Sequence, residues 1–136
     1  VVEDWIAAYA AGFFDGEGYV YLRNRPPHYT IGILIGQVDR RPLDFLAKHW
    51  GGGVLGPYYM DGGKHKNWRP QYQWGLHSRR AYDFLQDIYP WSILKLDQIE
   101  LLLDYPFTAG GKELPPEIVQ KRAEIYLAVK LAKKPA

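Results

Sequence analysis

Ala10-Ala11-Gly12-Phe13-Phe14-Asp15-Gly16-Glu17-Gly18 closes an alanine-rich segment that begins near Asp4. Residues 4–14 predict a helix: Asp4 is a good N-cap, alanine is frequent, and neither proline nor a β-branched run interrupts it. Asp15 to Gly18 predicts a sharp end, because two glycines accept backbone angles that other residues avoid. Ala8, Gly12 and Asp15 lie about one helical turn apart, with Ala11 beside them. A stripe of such small residues lets another helix approach backbone to backbone. Only one copy of the stretch is present, so a partner helix of the same kind has to come from a second chain.

Downstream of this helix the periodicity changes from helical to alternating. Tyr19–Arg25 predicts a strand with Tyr19, Tyr21, Arg23 and Arg25 on one face and Val20 and Leu22 on the other. Pro26-Pro27 makes the turn. Thr30–Gln37 returns with Ile31, Ile33 and Ile35 on one face and Thr30, Gly32, Leu34 and Gly36 on the other, so the pair predicts a hairpin. Pro42 to Trp50 predicts a helix with Leu43, Leu46 and Trp50 on one face, stopped by Gly51-Gly52-Gly53. A second hairpin follows, Val54–Met60 and Trp68–His77, around a polar glycine-rich loop at 61–67. Ser78 is expected to cap a helix to Tyr89, Trp91–Tyr105 to form another, and residues 116 to 133 a terminal one. The order α-β-β-α-β-β-α-α-α predicts an α+β fold, one domain spanning 1–136, with four antiparallel strands and helices on one face.

The chain has 136 residues, room for one core and not two. Hydrophobic residues at 47% and charged residues at 24% exclude a disordered chain. No stretch reaches the roughly 18 uninterrupted apolar residues of a membrane helix, and no basic-then-apolar leader is visible. Zero cysteines exclude disulfides, thiolate zinc sites and cysteine nucleophiles. The expected location is therefore intracellular, the cytoplasm of a prokaryote or an organelle, with no membrane partner and no secretion. The net charge of +2 hides an asymmetry: residues 1–18 carry −4, residues 19–80 carry +7 and residues 81–136 carry −1. A basic block of that size, rich in tyrosine and holding all four histidines, reads as a footprint for a polyanion.

The nonapeptide at 10–18 resembles the signature of the LAGLIDADG homing endonucleases. Later landmarks of that family have counterparts in order and at similar spacing: Gln37-Val38-Asp39 followed by Leu43-Asp44-Phe45-Leu46, the three glycines at 51–53, and Ile93-Leu94-Lys95-Leu96-Asp97-Gln98 after Pro90. The chain departs from the eponymous signature with Ala10, Phe13, Phe14 and Glu17, the last keeping a carboxylate on a longer side chain. The resemblance implies the αββαββα-type fold with a curved, four-stranded antiparallel DNA-binding sheet. It also implies a homodimer whose signature helices pack on the two-fold axis through Ala8, Ala11, Gly12 and Asp15. Asp15 is further expected to cap or orient helix ends.

What the resemblance implies for chemistry follows the same residues. Glu17 becomes a metal ligand helped by the backbone carbonyl of Gly16. Two such carboxylates meeting across the axis repel one another unless a divalent cation lies between them, and oxygen ligands suit Mg²⁺. Lys95 matches the family's basic residue that stabilises charge on the phosphate or tunes the attacking water. Gln37 matches a water-orienting polar residue, and Arg40 or Arg41 shares in this. The expected reaction is phosphodiester hydrolysis across the minor groove with 3′ overhangs.

The partner expected for the open sheet face is double-stranded DNA, because a two-stranded ribbon fits the major groove. Tyr19, Tyr21, Arg23, Arg25, Thr30 and Leu34 with Arg69, Gln71 and Gln73 are the candidate readers. Arginine and glutamine suit guanine and adenine edges. Eight strand residues at roughly 3.3 Å each span about eight base pairs, so two copies read a long, nearly palindromic site. Arg40, Arg41, Lys64, Lys66 and Arg79 are also placed at the DNA, with Lys64, His65, Lys66, Arg79 and Arg80 expected on phosphates. There are two rival readings: an intron RNA maturase or non-cleaving DNA-binding regulator of the same fold, and a carbohydrate-binding module suggested by the aromatic content.

Overall fold

The signature helix is longer than its glycines suggest. In the computed structural model, which describes residues 2–59, 69–108 and 113–134, α1 runs from Asp4 to Glu17 and β1 starts at the very next residue, Gly18. Asp15, Gly16 and Glu17 thus lie in the last turn of the helix. The N-cap is Glu3 and not Asp4; its side chain accepts the Trp5 indole N–H at 2.8 Å and makes no capping bond. Gly18 is needed for close approach: a Cβ there meets the Phe14 ring at 2.3 Å.

β1 (Gly18–Leu22) pairs with β2 (Ile31–Gln37), which pairs with β4 (Gln71–His77), which pairs with β3 (Val54–Tyr58). All pairings are antiparallel and the strand order is β1-β2-β4-β3. β1 is shorter than its alternation suggests. Arg23 still donates its backbone N–H to Thr30, but Arg25 lies in the turn, where its carbonyl accepts from His28 and Tyr29. Likewise Arg69 precedes β4 instead of belonging to it. The expected strand ends at Met60 and Trp68, and the loop at 61–67, fall outside the described residues.

The inner face of the sheet is the one that alternation predicts. Val20 and Leu22, Ile31, Ile33 and Ile35, and Trp74 and Leu76 are buried. Helices α1, α2 (Arg41–Trp50), α3 (Ser78–Ile88), α4 (Leu96–Leu103) and α5 (Pro116–Ala132) supply the rest of this core. Phe84 of α3 is its hub, with Phe14, Trp50 and Trp74 edge-on to its ring at 4.9–5.5 Å. Burying each such side chain contributes about 1.5–3 kcal/mol. The one polar atom of Trp74 is satisfied: its indole N–H donates to the Gly51 carbonyl at 2.9 Å.

Two helix boundaries depart from expectation. Ser78 starts α3 in the left-handed region, with φ 57°, and no side chain caps the helix. The helix expected over Trp91–Tyr105 is shorter, because Tyr89–Trp91 forms a 3₁₀ turn and residues 92–95 are irregular before α4 begins at Leu96. That irregular stretch lies against the end of α1 and is part of the candidate site.

Candidate functional site

Residues 93–95 leave the helical path because a carboxylate from α1 takes their N–H groups. Asp15 Oδ2 accepts the backbone N–H of Ile93 at 2.8 Å and of Leu94 at 3.1 Å, and Oδ1 accepts that of Lys95 at 3.2 Å. Hydrogen bonds to an ionised carboxylate are the strong kind, and here one group satisfies the lead-in to α4. Ser92 fixes the other side, its buried hydroxyl donating to the Ile88 carbonyl at 3.0 Å. Lys95 then reaches back, its ammonium donating to the Asp15 carbonyl at 2.5 Å, 5.8 Å from the Phe14 ring. Burial pushes the Lys95 pKa below the ordinary lysine value, partly offset by Asp15 and Glu17. Glu17 itself ends α1, exposed, with Gly16 exposed beside it. The two candidate catalytic charges therefore stand at one end of one helix.

The small-residue stripe takes a phase that the sequence leaves ambiguous. Ala11 is completely buried in the chain's own core, so it is not available to a partner, contrary to expectation. Asp15 spends its carboxylate within its own chain. Ala8 is half-buried and Gly12 and Gly16 are exposed, at i, i+4 and i+8 on one face. A Cβ at Gly12 or Gly16 meets nothing within 4 Å. Apolar groups flank this seam at both ends. Trp5 and Tyr9 pack on Phe45 of α2 at one, and Ile93 and Leu94, 81% and 76% exposed, stand at the other.

Gln37 closes β2, opposite Tyr72, two residues beyond Ile35, the partner of Gly18. It thus sits at the edge of the sheet where α1 enters β1. The two arginines that follow part company. Arg40 pairs with Asp44 at 3.1 Å and lies 5.2 Å from the Tyr72 ring, beside Gln37. Arg41 pairs with Asp39 at 2.6 Å and turns toward a cavity lined by Trp5, Tyr9 and Phe45. The Arg41 guanidinium and its backbone N–H hold the Asp39 carboxyl down to about 2.

Lys133 is a residue that sequence reading misses. The end of α5 tucks its ammonium onto the Val20 carbonyl, 5.8 Å from the Tyr19 ring. Burial of the ammonium, and then the charge of Lys95, push its pKa below the usual lysine range. The only signal in the sequence is a Lys-Lys pair after a helix, which says nothing of where that helix ends in space.

The open face of the sheet carries Tyr19, Tyr21, Thr30 and Leu34 from the first hairpin and Gln71 and Gln73 from the second, on the register Tyr19–Leu34–Gly75 and Gly36–Gln73–Leu55. Tyr21 does not stand up from the sheet. Its ring lies across Gly32, where a Cβ meets the ring at 2.0 Å. Arg23 and Arg69 are exposed beside strand ends, and Arg25 is exposed in the turn. Arg79 sits away from the sheet face on α3, its guanidinium 4.0 Å from the Phe107 ring centroid. Lys64 and Lys66 lie outside the described residues. Exposed Leu55, Tyr58, Tyr59 and His77, which the sequence does not single out, share this side of the molecule or its rim with Arg80. Among the described residues, no three His, Asp or Glu side chains stand close enough to hold a metal ion together, and no helix is long and apolar enough to cross a membrane.

The element order αββαββα, the four-stranded antiparallel sheet and the signature helix leading into β1 define the α+β fold of the homing endonucleases. The chain matches the crystal structure of the homing endonuclease I-CvuI in complex with its target, Sro1.3, in the presence of 2 mM Ca, with a TM-score of 0.73 over 98% of this chain and 85% of that one at 19% identity. It matches a second I-CvuI structure, with the I-CreI target C1221 in the presence of 2 mM Mg and the DNA not cleaved, with a TM-score of 0.69, 18% identity and the same coverage. At these identities the likeness is one of fold. Neither a protein-family model nor a curated protein sequence matches the chain.

Proposed function

We propose that the protein is a site-specific, metal-dependent double-strand DNA endonuclease that acts as a homodimer on a long, nearly palindromic site and leaves 3′ overhangs. The observation that carries this reading is the lock between Asp15 and residues 93–95, which holds the Lys95 ammonium at the same end of α1 as Glu17. From that end the chain passes directly into β1 and the open, tyrosine- and glutamine-bearing sheet face. A scissile phosphate beside a DNA-reading sheet meets both charges there.

The seam of Ala8, Gly12 and Gly16 is the surface on which a second copy packs, bringing two Glu17 side chains to one place. The donor set fits Mg²⁺: each chain offers a carboxylate and the Gly16 carbonyl, hard oxygens of the kind that ion shares with water and phosphate. Glu17 and the Gly16 carbonyl would hold a divalent ion, which would supply an activated water and charge neutralisation at the leaving oxygen. Lys95 offsets charge developing on the phosphate from a position fixed before the reaction begins, and so costs no reorganisation. Gln37, with Arg40 beside it, orients water at the sheet edge.

The test is selection of bound sites from a randomised duplex library, followed by incubation with Mg²⁺. Staggered cuts in both strands of the selected site are expected. Specific retention of structured intron RNA with no cut in any selected DNA overturns the reading in favour of a maturase.

A further inference from the structure

The open face of the sheet is notched. β3 begins at Val54, opposite Trp74, so Gly75, Leu76 and His77 of β4 run on past it. Gly75 has no side chain, and a Cβ there meets the Ile33 carbonyl at 2.8 Å and the Leu34 side chain at 3.0 Å. The result is a cavity of about 450 Å³ between Leu34 on β2 and Leu55 on β3, with the flat-lying ring of Tyr21 as a further wall. Its polar side chains are Gln73, His77 and Arg80, together with the Tyr21 hydroxyl. Leu55 is 59% exposed, and with Leu34 it is an apolar side chain on a face that otherwise carries tyrosine and glutamine.

In the major groove only thymine presents a methyl group, and it stands next to the O4 acceptor. Cytosine presents an N4 donor at the O4 position and no methyl. An apolar socket bordered by the Gln73 amide and the His77 imidazole, both able to donate, matches thymine's edge on both counts. Arg80 at the rim is placed to meet a phosphate, which carries register and no sequence information.

We infer that the Leu34–Leu55 notch is a thymine-reading socket, which fixes a T·A pair at one position of each half-site. This rests on the reading of the open face as a DNA-binding surface. The socket distinguishes thymine from cytosine and from uracil by the methyl group it contacts, while the Gln73 amide and the His77 imidazole can each donate to thymine O4.

The experiment replaces each thymine of the library-selected duplex with uracil, one position per half-site at a time, and measures affinity. For the wild type, one position is expected to weaken binding about 4-fold per half-site, the size of one buried methyl group. At that position Leu55→Gln, and independently Leu34→Ser, should bind the thymine and uracil duplexes equally. Leu55 is exposed enough that the first variant tests reading without disturbing the core. A selected site without an invariant thymine, uracil tolerated everywhere, or full uracil sensitivity retained in both variants overturns the inference while leaving DNA binding intact. Absence of any DNA binding by the wild type overturns the underlying reading instead.

Discussion

Asp15 and Lys95 hold each other twice: the Asp15 carboxylate accepts the Lys95 backbone N–H at 3.2 Å, and the Lys95 ammonium donates to the Asp15 carbonyl at 2.5 Å. One residue of the signature helix thus sets the conformation of a loop 80 residues away and the position of its lysine. Shape and charge at this end of the molecule depend on the same pair.

Asp15→Asn separates the two. The amide keeps one acceptor but turns an N–H₂ donor toward N–H groups that need an oxygen. Loss of the charge-assisted bonds should lower stability by about 2 kcal/mol, read from urea denaturation. Amide exchange at Ile93 and Leu94 should speed up selectively, and cleavage should fall further than DNA affinity. Unchanged protection at both amides counts against the lock.

Much of the fold was legible because alternation and helical spacing are local. Ile31, Ile33 and Ile35 on one side of β2, and Trp74 and Leu76 on the matching side of β4, needed nothing beyond period-two reading. What the sequence hid was where local propensity meets a distant partner. The stretch Trp91 to Lys95 has no strong helix breaker after Pro90, yet the N–H groups of Ile93, Leu94 and Lys95 go to Asp15 and the helix starts late. Ala11 and Gly12 are equally small, and only the phase of α1 on the core shows that one is buried and the other open. Lys133 meets Val20 across 113 residues, a distance at which spacing carries no information. Of the candidate site, the nonapeptide and the later landmark point to Glu17 and Lys95, while the alternation that puts Tyr21 on the open face says nothing of its ring lying across Gly32.

Gly12→Leu tests the seam. Among the described residues nothing obstructs a side chain at Gly12, so the monomer should keep its fold, its own folding stability unchanged or raised by up to about 1 kcal/mol as the helix loses a glycine. The bulk instead stands on the helix-packing surface. Sedimentation should show a dimer for the wild type and a monomer for the variant, with double-strand cutting lost. Ala11→Leu makes the contrast: it overpacks a filled core and should cost about 1–3 kcal/mol of folding stability. A Gly12→Leu protein that sediments as a dimer removes this face from the interface.

The two lysines at the end of α1 should titrate abnormally. Lys95 and Lys133 both have pKa values below the ordinary 10.5 in the folded chain. Between those lowered values and 10.5 the unfolded chain binds more protons than the native one, so stability from these groups rises with pH across that window. Cleavage that needs the Lys95 charge moves the other way, and its alkaline limb should fall at lower pH than a free lysine dictates. Titration by ¹³Cε NMR should find both resonances shifting early. Lys95→Met removes a like charge and should move the Lys133 transition upward; a Lys133 midpoint that stays put argues against their proximity.

Glu17→Gln distinguishes binding from chemistry. Glu17 is exposed at the helix end, where its charge acts on Lys95, so the variant should fold and dimerise as the wild type does. The amide preserves shape and removes a negative charge near the phosphates. Affinity for the selected duplex should be unchanged or higher, with a shallower rise on adding Mg²⁺. Cleavage should be lost, because an amide is a poor ligand for a hard divalent cation and the two-fold site loses both carboxylates at once. Isothermal titration with Mg²⁺ in the presence of the duplex supplies a readout independent of cutting: binding heat for the wild type should be absent for the variant. Lys95→Met should retain that heat and still cut slowly, since its contribution lies in the transition state. If Glu17→Gln cuts both strands at the wild-type rate, the carboxylate has no part in the reaction, and the catalytic reading of this end of α1 falls with it.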